Sequence, residues 1–380
     1  MTPVYKLSAS SFRSRTTYGS MLAGNTAYIP KEYFALNYLT TAPYQSVWNR
    51  TGASFGTKIT DPASLSGVTS TSLPPAQWSR GKTSIAFGVN ASPFVAAYKW
   101  ISTASPAWGT KFTDPATLPG GTTNSPTFTN NDIVVGSSAS PYVIAYKWSD
   151  DSGFGTKYSN PATLPANAAT GRLNDAGTVW AAGVNGTTPY SVAYPYTDGT
   201  GFGTKYADPA TLPGAFATGG NGVGWNRAGS AFVIPYQTTS GAESGTHGIW
   251  RWSSGWSTKY TAPSPDISNY YGTIQPEFNH NDTAFGFAQY TLVTGNRIQV
   301  YAWNNTNGYG TKYAQPSPDI ANDARGFGFN DDSTAIALST NATPYVHLWA
   351  WSNSTGFGTK SADPATLPGG LGGGLRMIKI

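Results

Sequence analysis

Apolar and polar positions alternate with period two in short runs, most clearly along Ser140 to Trp148. There Tyr142, Ile144, Tyr146 and Trp148 share one side and Lys147 takes the other, as a β-strand requires. Two similar runs precede it, Ser125 to Thr129 and Ile133 to Gly136, parted by Asn130-Asn131-Asp132, residue types that tolerate turn backbone. Asp150 to Gly153 turns the chain again, and Phe154 to Tyr158 alternates once more. Four short antiparallel strands are predicted. The group recurs: an aromatic-Gly/Ser-Thr-Lys core is centred on Lys58, Lys111, Lys157, Lys205, Lys259, Lys312 and Lys360, with gaps of 53, 46, 48, 54, 53 and 48 residues. An aromatic ends the third strand of every copy, at Trp48, Trp100, Trp148, Tyr196, Trp252, Trp303 and Trp351. A period in this range marks a solenoid, propeller or array. The expectation is an all-β fold, a seven-bladed β-propeller of four-stranded antiparallel blades spanning residues 28–380.

The two ends of the repeat argue for a closed ring. The first unit lacks the turn before its second strand, and a lone strand-like run, Leu375-Arg376-Met377-Ile378-Lys379-Ile380, follows the last unit. Leu375, Met377, Ile378 and Ile380 are therefore expected to supply the missing strand and remove two exposed sheet edges. Between units, Asn160-Pro161-Ala162-Thr163-Leu164-Pro165 and its equivalents read as a one-turn helical crossover, with an Asx cap and Pro at the first helical position. Leu118, Leu164, Leu212 and Leu367 are expected to plug the gap between blades.

Composition fits many strands joined by tight turns: 44 Gly, 27 Pro and 14% aromatics against 11% charged residues. The net charge of +5 does not imply a nucleic-acid partner. Removing the seven repeat lysines from 23 Lys and Arg leaves 16, against 18 Asp and Glu. No run of eighteen apolar residues suggests membrane insertion, and the first residues lack the apolar stretch of a signal peptide. The chain is expected to be made in a cytoplasm. Residues 1–27 match no repeat and read as an arm, with Phe12, Arg13, Arg15 and Tyr18 as candidate anchoring residues. Unit five departs from the pattern with a longer loop holding Glu243 and His247, a candidate binding loop.

Catalysis is not expected on this reading. Cysteine is absent, and His247, His280 and His347 stand in three different units. No close-spaced metal-ligand motif occurs, and Glu32, Glu243 and Glu277 do not pair in sequence as glycosidase carboxylates. No cofactor is expected. His347 aligns with inward strand positions and reads as a packed histidine.

The units Ser140-Pro141-Tyr142-Val143 to Trp148 and Gly201-Phe202-Gly203-Thr204-Lys205-Tyr206-Ala207-Asp208-Pro209-Ala210-Thr211-Leu212-Pro213 resemble the repeats of WD-repeat-like virion proteins of tailed bacteriophages. The run Tyr18 to Tyr28 is similar to the start of phage structural proteins. The Trp-Asp dipeptide of true WD repeats is missing, so their partners do not carry over. The resemblance implies a non-enzymatic structural protein of the virion, in tail, fibre or capsid surface. Its expected partners are other virion proteins, met through the arm, and a host-surface glycan or protein. The alternative on the residues is a glycan-binding propeller that stacks sugars on exposed Trp and Tyr.

Overall fold

A computed structural model describes residues 31–38, 44–62, 76–102, 107–213, 222–236, 247–263, 273–289, 297–318, 320 and 322–380. The described residues form seven four-stranded antiparallel sheets, the blades of a β-propeller, and contain no helix. The innermost strands are Gly372–Lys379 in blade 1, Gln77–Trp78 in blade 2, Thr123–Phe128 in blade 3 and Ala169–Leu173 in blade 4. Gly224–Trp225, Thr273–Phe278 and Ala324–Phe329 serve blades 5, 6 and 7. The arm, with Phe12, Arg13, Arg15 and Tyr18, lies outside the described residues, as does Glu243.

Closure follows the expected route. The C-terminal strand Gly372–Lys379 pairs antiparallel with Glu32–Tyr38, with Leu36 opposite Leu375 and Phe34 opposite Met377. Blade 1 thus takes its innermost strand from one end of the chain and its other three from the other. Leu375 and Met377 are fully buried against Val346 and Leu348 of blade 7, while Ile378 joins Trp78 and Ile85 of blade 2.

Each blade is a wedge packed on both faces. In blade 3, Ile144, Tyr146 and Trp148 face blade 2, whereas Val143 and Ala145 of the same strand face blade 4. An aromatic just after each of several repeat lysines reaches the Trp of the following blade edge to face: Phe112 on Trp148 at 5.1 Å, Tyr206 on Trp252 at 5.1 Å and Tyr313 on Trp351 at 4.8 Å. Such pairs contribute about 0.5–1.5 kcal/mol beyond their area. Toward the axis the space narrows until only glycine fits. A Cβ on Gly88 would lie 2.1 Å from the Thr123 carbonyl oxygen, and one on Gly136 would lie 2.2 Å from that of Ala169.

The connectors differ from the sequence reading. They contain bends but no helical turn, and Leu118, Leu164, Leu212 and Leu367 are exposed rather than plugged between blades. The flanking prolines are the buried residues, Pro115 and Pro119, Pro161 and Pro165, Pro209 and Pro213, Pro364 and Pro368. Each connector is fixed through the carbonyl oxygen before its leucine. Tyr146, Tyr194, Trp250 and Trp48 of the following blades donate to the carbonyls of Thr117, Thr163, Thr211 and Thr366. A backbone held there leaves the leucine pointing outward.

The repeat lysines are partly buried. Lys58, Lys111, Lys205 and Lys360 pair with the aspartate three residues on, and Lys157 donates to Asn160. Lys259 instead donates to the Tyr236 hydroxyl and lies over the Trp250 ring, and burial lowers the Lys312 pKa.

Candidate functional site

Every innermost strand sets one residue on a common tier around the axis. The register fixes it: Gln77, Thr127, Arg172, Gly224, Glu277, Gly328 and Arg376 lie opposite the small or β-branched residues Ala86, Val134, Ala181, Val233, Gly286, Ala337 and Ala35. Three of the seven are charged. The turns that follow these strands form a rim carrying Arg80, Asp175, Arg227, His280 and Asp331, and together tier and rim enclose a cavity of about 510 Å³.

The charged tier is built across blade 7. Glu277 of blade 6 reaches over Gly328 to Arg376 of blade 1, Oε1 to Nη1 at 2.9 Å, and its Oε2 accepts the Phe329 N–H at 3.3 Å. A Cβ at residue 328 would stand 3.0 Å from Oε2, so glycine there keeps the passage open. One layer below, Gln275 makes the same crossing: Nε2 donates to the Leu375 carbonyl at 2.5 Å, and Oε1 accepts the Leu375 N–H at 3.0 Å. Burial raises the Glu277 pKa above the ordinary carboxylate value, opposed by Arg376 and Arg172. Desolvation pulls the Arg172 guanidinium down to about 10, and the like charge of Arg376 adds to it.

On the rim, Arg227 donates to Asp175 at 3.0 Å and lies 3.2 Å from His280 Nδ1. A guanidinium only donates, so Nδ1 accepts and the ring is neutral with its proton on Nε2. Burial and then Arg227 lower the His280 pKa, consistent with that form. The site therefore offers three carboxylates, four guanidinium groups and a neutral imidazole around one opening. Such a set can activate water, face a developing oxyanion and orient a polar ligand.

On the sequence His280 is set aside because the three histidines stand in different units, and Glu277 because the glutamates do not pair as glycosidase carboxylates. First strands converge on the axis, so residues from three units meet, and separation by unit is no barrier. Arg172 and Arg376 were missed as site residues. The available signal was the position two before the turn residue Asn174, Asn279 or Asn330, which is charged in only some units. His247 is buried in the strand His247–Trp252, not on a loop, with Nε2 2.6 Å from the Tyr309 hydroxyl and its ring 4.5 Å from Phe287. Burial lowers its pKa to about 3. His347 is likewise buried, stacked on Trp349 at 5.7 Å. Neither borders the cavity. Among the described residues no cluster of His, Asp and Glu has the makings of a metal site.

No family model and no curated protein sequence matches this chain. Its backbone is similar to that of the periplasmic gluconolactonase of Pseudomonas aeruginosa, with TM-score 0.64 and 12% identity over 91% of this chain and 99% of the other. A candidate 6-phosphogluconolactonase of Bacteroides fragilis gives TM-score 0.63 and 12% identity over 93% and 99%. A protein of Lactobacillus plantarum gives 0.61 and 12% over 92% and 99%. At this identity the likeness shows the fold. It also corrects the phage resemblance: these three propellers are bacterial proteins, two of them with lactonase names, not virion components. The expectations of a virion structural role and of a chain without enzymatic activity fall with it. The physical reason lies in the repeat, whose strand and turn chemistry reports the propeller scaffold and not what stands at its axis.

Proposed function

We propose that this protein is a hydrolase of small sugar lactones, acting in the axial cavity. The observation that carries the reading is the Glu277–Arg376 pair beside neutral His280, at the one place where all seven blades meet. The lactonase names of two structural neighbours support the same choice of chemistry. In this mechanism Glu277 takes a proton from a water as that water attacks the lactone carbonyl carbon. Arg376 faces the negative charge that develops on the carbonyl oxygen, and His280 Nε2–H is a donor for the ring oxygen as the ester bond breaks. The carbon–oxygen bond of the ester breaks, the proton held by Glu277 passes to the departing ring oxygen, and one water is consumed for each hydroxy acid formed.

The test is proton release from δ-gluconolactone in weakly buffered solution, above its spontaneous rate. Glu277→Gln is expected to lower kcat by about 10²- to 10⁴-fold, the range for loss of a general base. Wild-type activity should fall as pH drops through the raised Glu277 pKa, because the base must be ionised. Wild-type turnover no faster than the spontaneous rate, or full activity in Glu277→Gln, would end the proposal.

A further inference from the structure

The mechanism above leaves Arg172 unused, and that residue is the anomaly of the cavity. Its neighbours have their charges matched: Arg376 with Glu277 and Arg227 with Asp175. Arg80 and Lys82 spend their donors on backbone carbonyls, those of Phe128 and Asp175 for the first and of Lys379 for the second. The Arg172 guanidinium makes no hydrogen bond or ion pair with any described residue; its backbone is held in the strand opposite Ala181, and its carbonyl also accepts Trp225 Nε1–H at 3.0 Å. Glu277 and Asp175 attract the guanidinium without bonding to it, so its five donors stay unpaired in the wall of a cavity beside a second guanidinium, a place that favours a bound anion.

The charge balance of the wall says how negative. Five cations border the cavity, Arg80, Lys82, Arg172, Arg227 and Arg376, against three carboxylates, Asp175, Glu277 and Asp331, a surplus of two with His280 neutral. A phosphate monoester carries about −1.5 to −2 at neutral pH and presents three acceptor oxygens. A carboxylate carries one charge and two. Arginine's planar fork matches the oxygen spacing of either, so the charge surplus decides between them.

We infer that Arg172 is the centre of an anion subsite in the axial cavity, with Arg80 and Lys82 adding charge at the rim, and that it takes the phosphate monoester of a phosphorylated sugar. The inference rests on the lactonase reading only for the identity of the sugar; the subsite itself rests on the unpaired guanidinium. Rim charges set the approach of the ligand, and Arg172 holds it by its phosphate. The ester carbonyl is then left to the Glu277–Arg376 pair.

The experiment is calorimetric binding of glucose 6-phosphate, glucuronate and glucose, none of which is hydrolysed by a lactonase. Glucose 6-phosphate is expected to bind at least about tenfold more tightly than glucuronate, with affinity falling as salt is raised. Arg172→Gln should erase that preference, and Arg172→Lys should retain part of it, since charge remains and the fork is lost. Thermal melting of both variants without ligand should not fall, because no ion pair is removed. Equal affinity for glucose 6-phosphate and glucuronate, or a preference that survives Arg172→Gln, overturns the subsite. Phosphate-selective binding with no lactone turnover keeps the subsite and removes the hydrolase. Lactone turnover with no phosphate preference does the reverse.

Discussion

Deleting Gly372–Ile380 should open the ring, and the size of the effect follows from what the strand buries. Leu375 and Met377 are fully buried and Ile378 nearly so; at about 1.5–3 kcal/mol for each such side chain, their transfer alone amounts to roughly 6 kcal/mol. Removal also strips Gln275 of both backbone partners in a buried position, which costs about 1–3 kcal/mol more, and leaves Glu277 without Arg376. The sum is comparable with the whole stability of an ordinary domain, about 5–15 kcal/mol. The shortened chain is therefore expected to lose its cooperative urea transition, followed by tryptophan fluorescence. A synthetic peptide of residues 372–380, added in excess, should restore it. The milder Leu375→Ala variant is expected to lose about 3 kcal/mol with an unchanged denaturant slope. A shortened protein that melts like the full chain would refute closure by this strand, whatever the register shows.

Two further outcomes follow. Because burial holds the His247 pKa near 3, the unfolded chain binds a proton there that the folded chain refuses. Its contribution is complete above about pH 6.5 and is lost as pH falls, by about 2 kcal/mol at pH 5, so His247→Gln should flatten that limb of the stability profile measured in urea. Gly136→Ala should destabilise by about 1–3 kcal/mol, since its Cβ would meet the Ala169 carbonyl of the next blade; a melting temperature equal to wild type would show that the blades yield there more easily than their packing implies.

The scaffold was legible in the chain because it is written seven times. Trp148 and its equivalents, with the lysine core behind them, locate each blade, and the unpartnered run Leu375 to Ile380 announces the closure. Features that depend on three-dimensional fit were harder to read. The connector leucines look like core residues by composition, yet the prolines on either side and the carbonyls of Thr117 or Thr163 take the buried contacts and turn the leucine out. The site was least legible of all. The tier position is Arg in two blades and Glu in one, and holds Gln, Thr or Gly in the other four, so a search for repeated motifs averages the charges away. Glu277 meets Arg376, 99 residues on, only after the chain has finished blade 6, built all of blade 7 and closed the ring.

The tier of seven positions has a consequence for how such a protein changes over generations. Each blade contributes a single letter, and the letters sit away from the wedges that hold the blades together. A new ligand preference is thus reachable by rewriting one or two letters while the scaffold's own text stays intact. Residue 328 is the exception. A side chain there would press on the ends of both Leu375 and Glu277, so any lineage that enlarges this letter must shift the carboxylate that Arg376 holds.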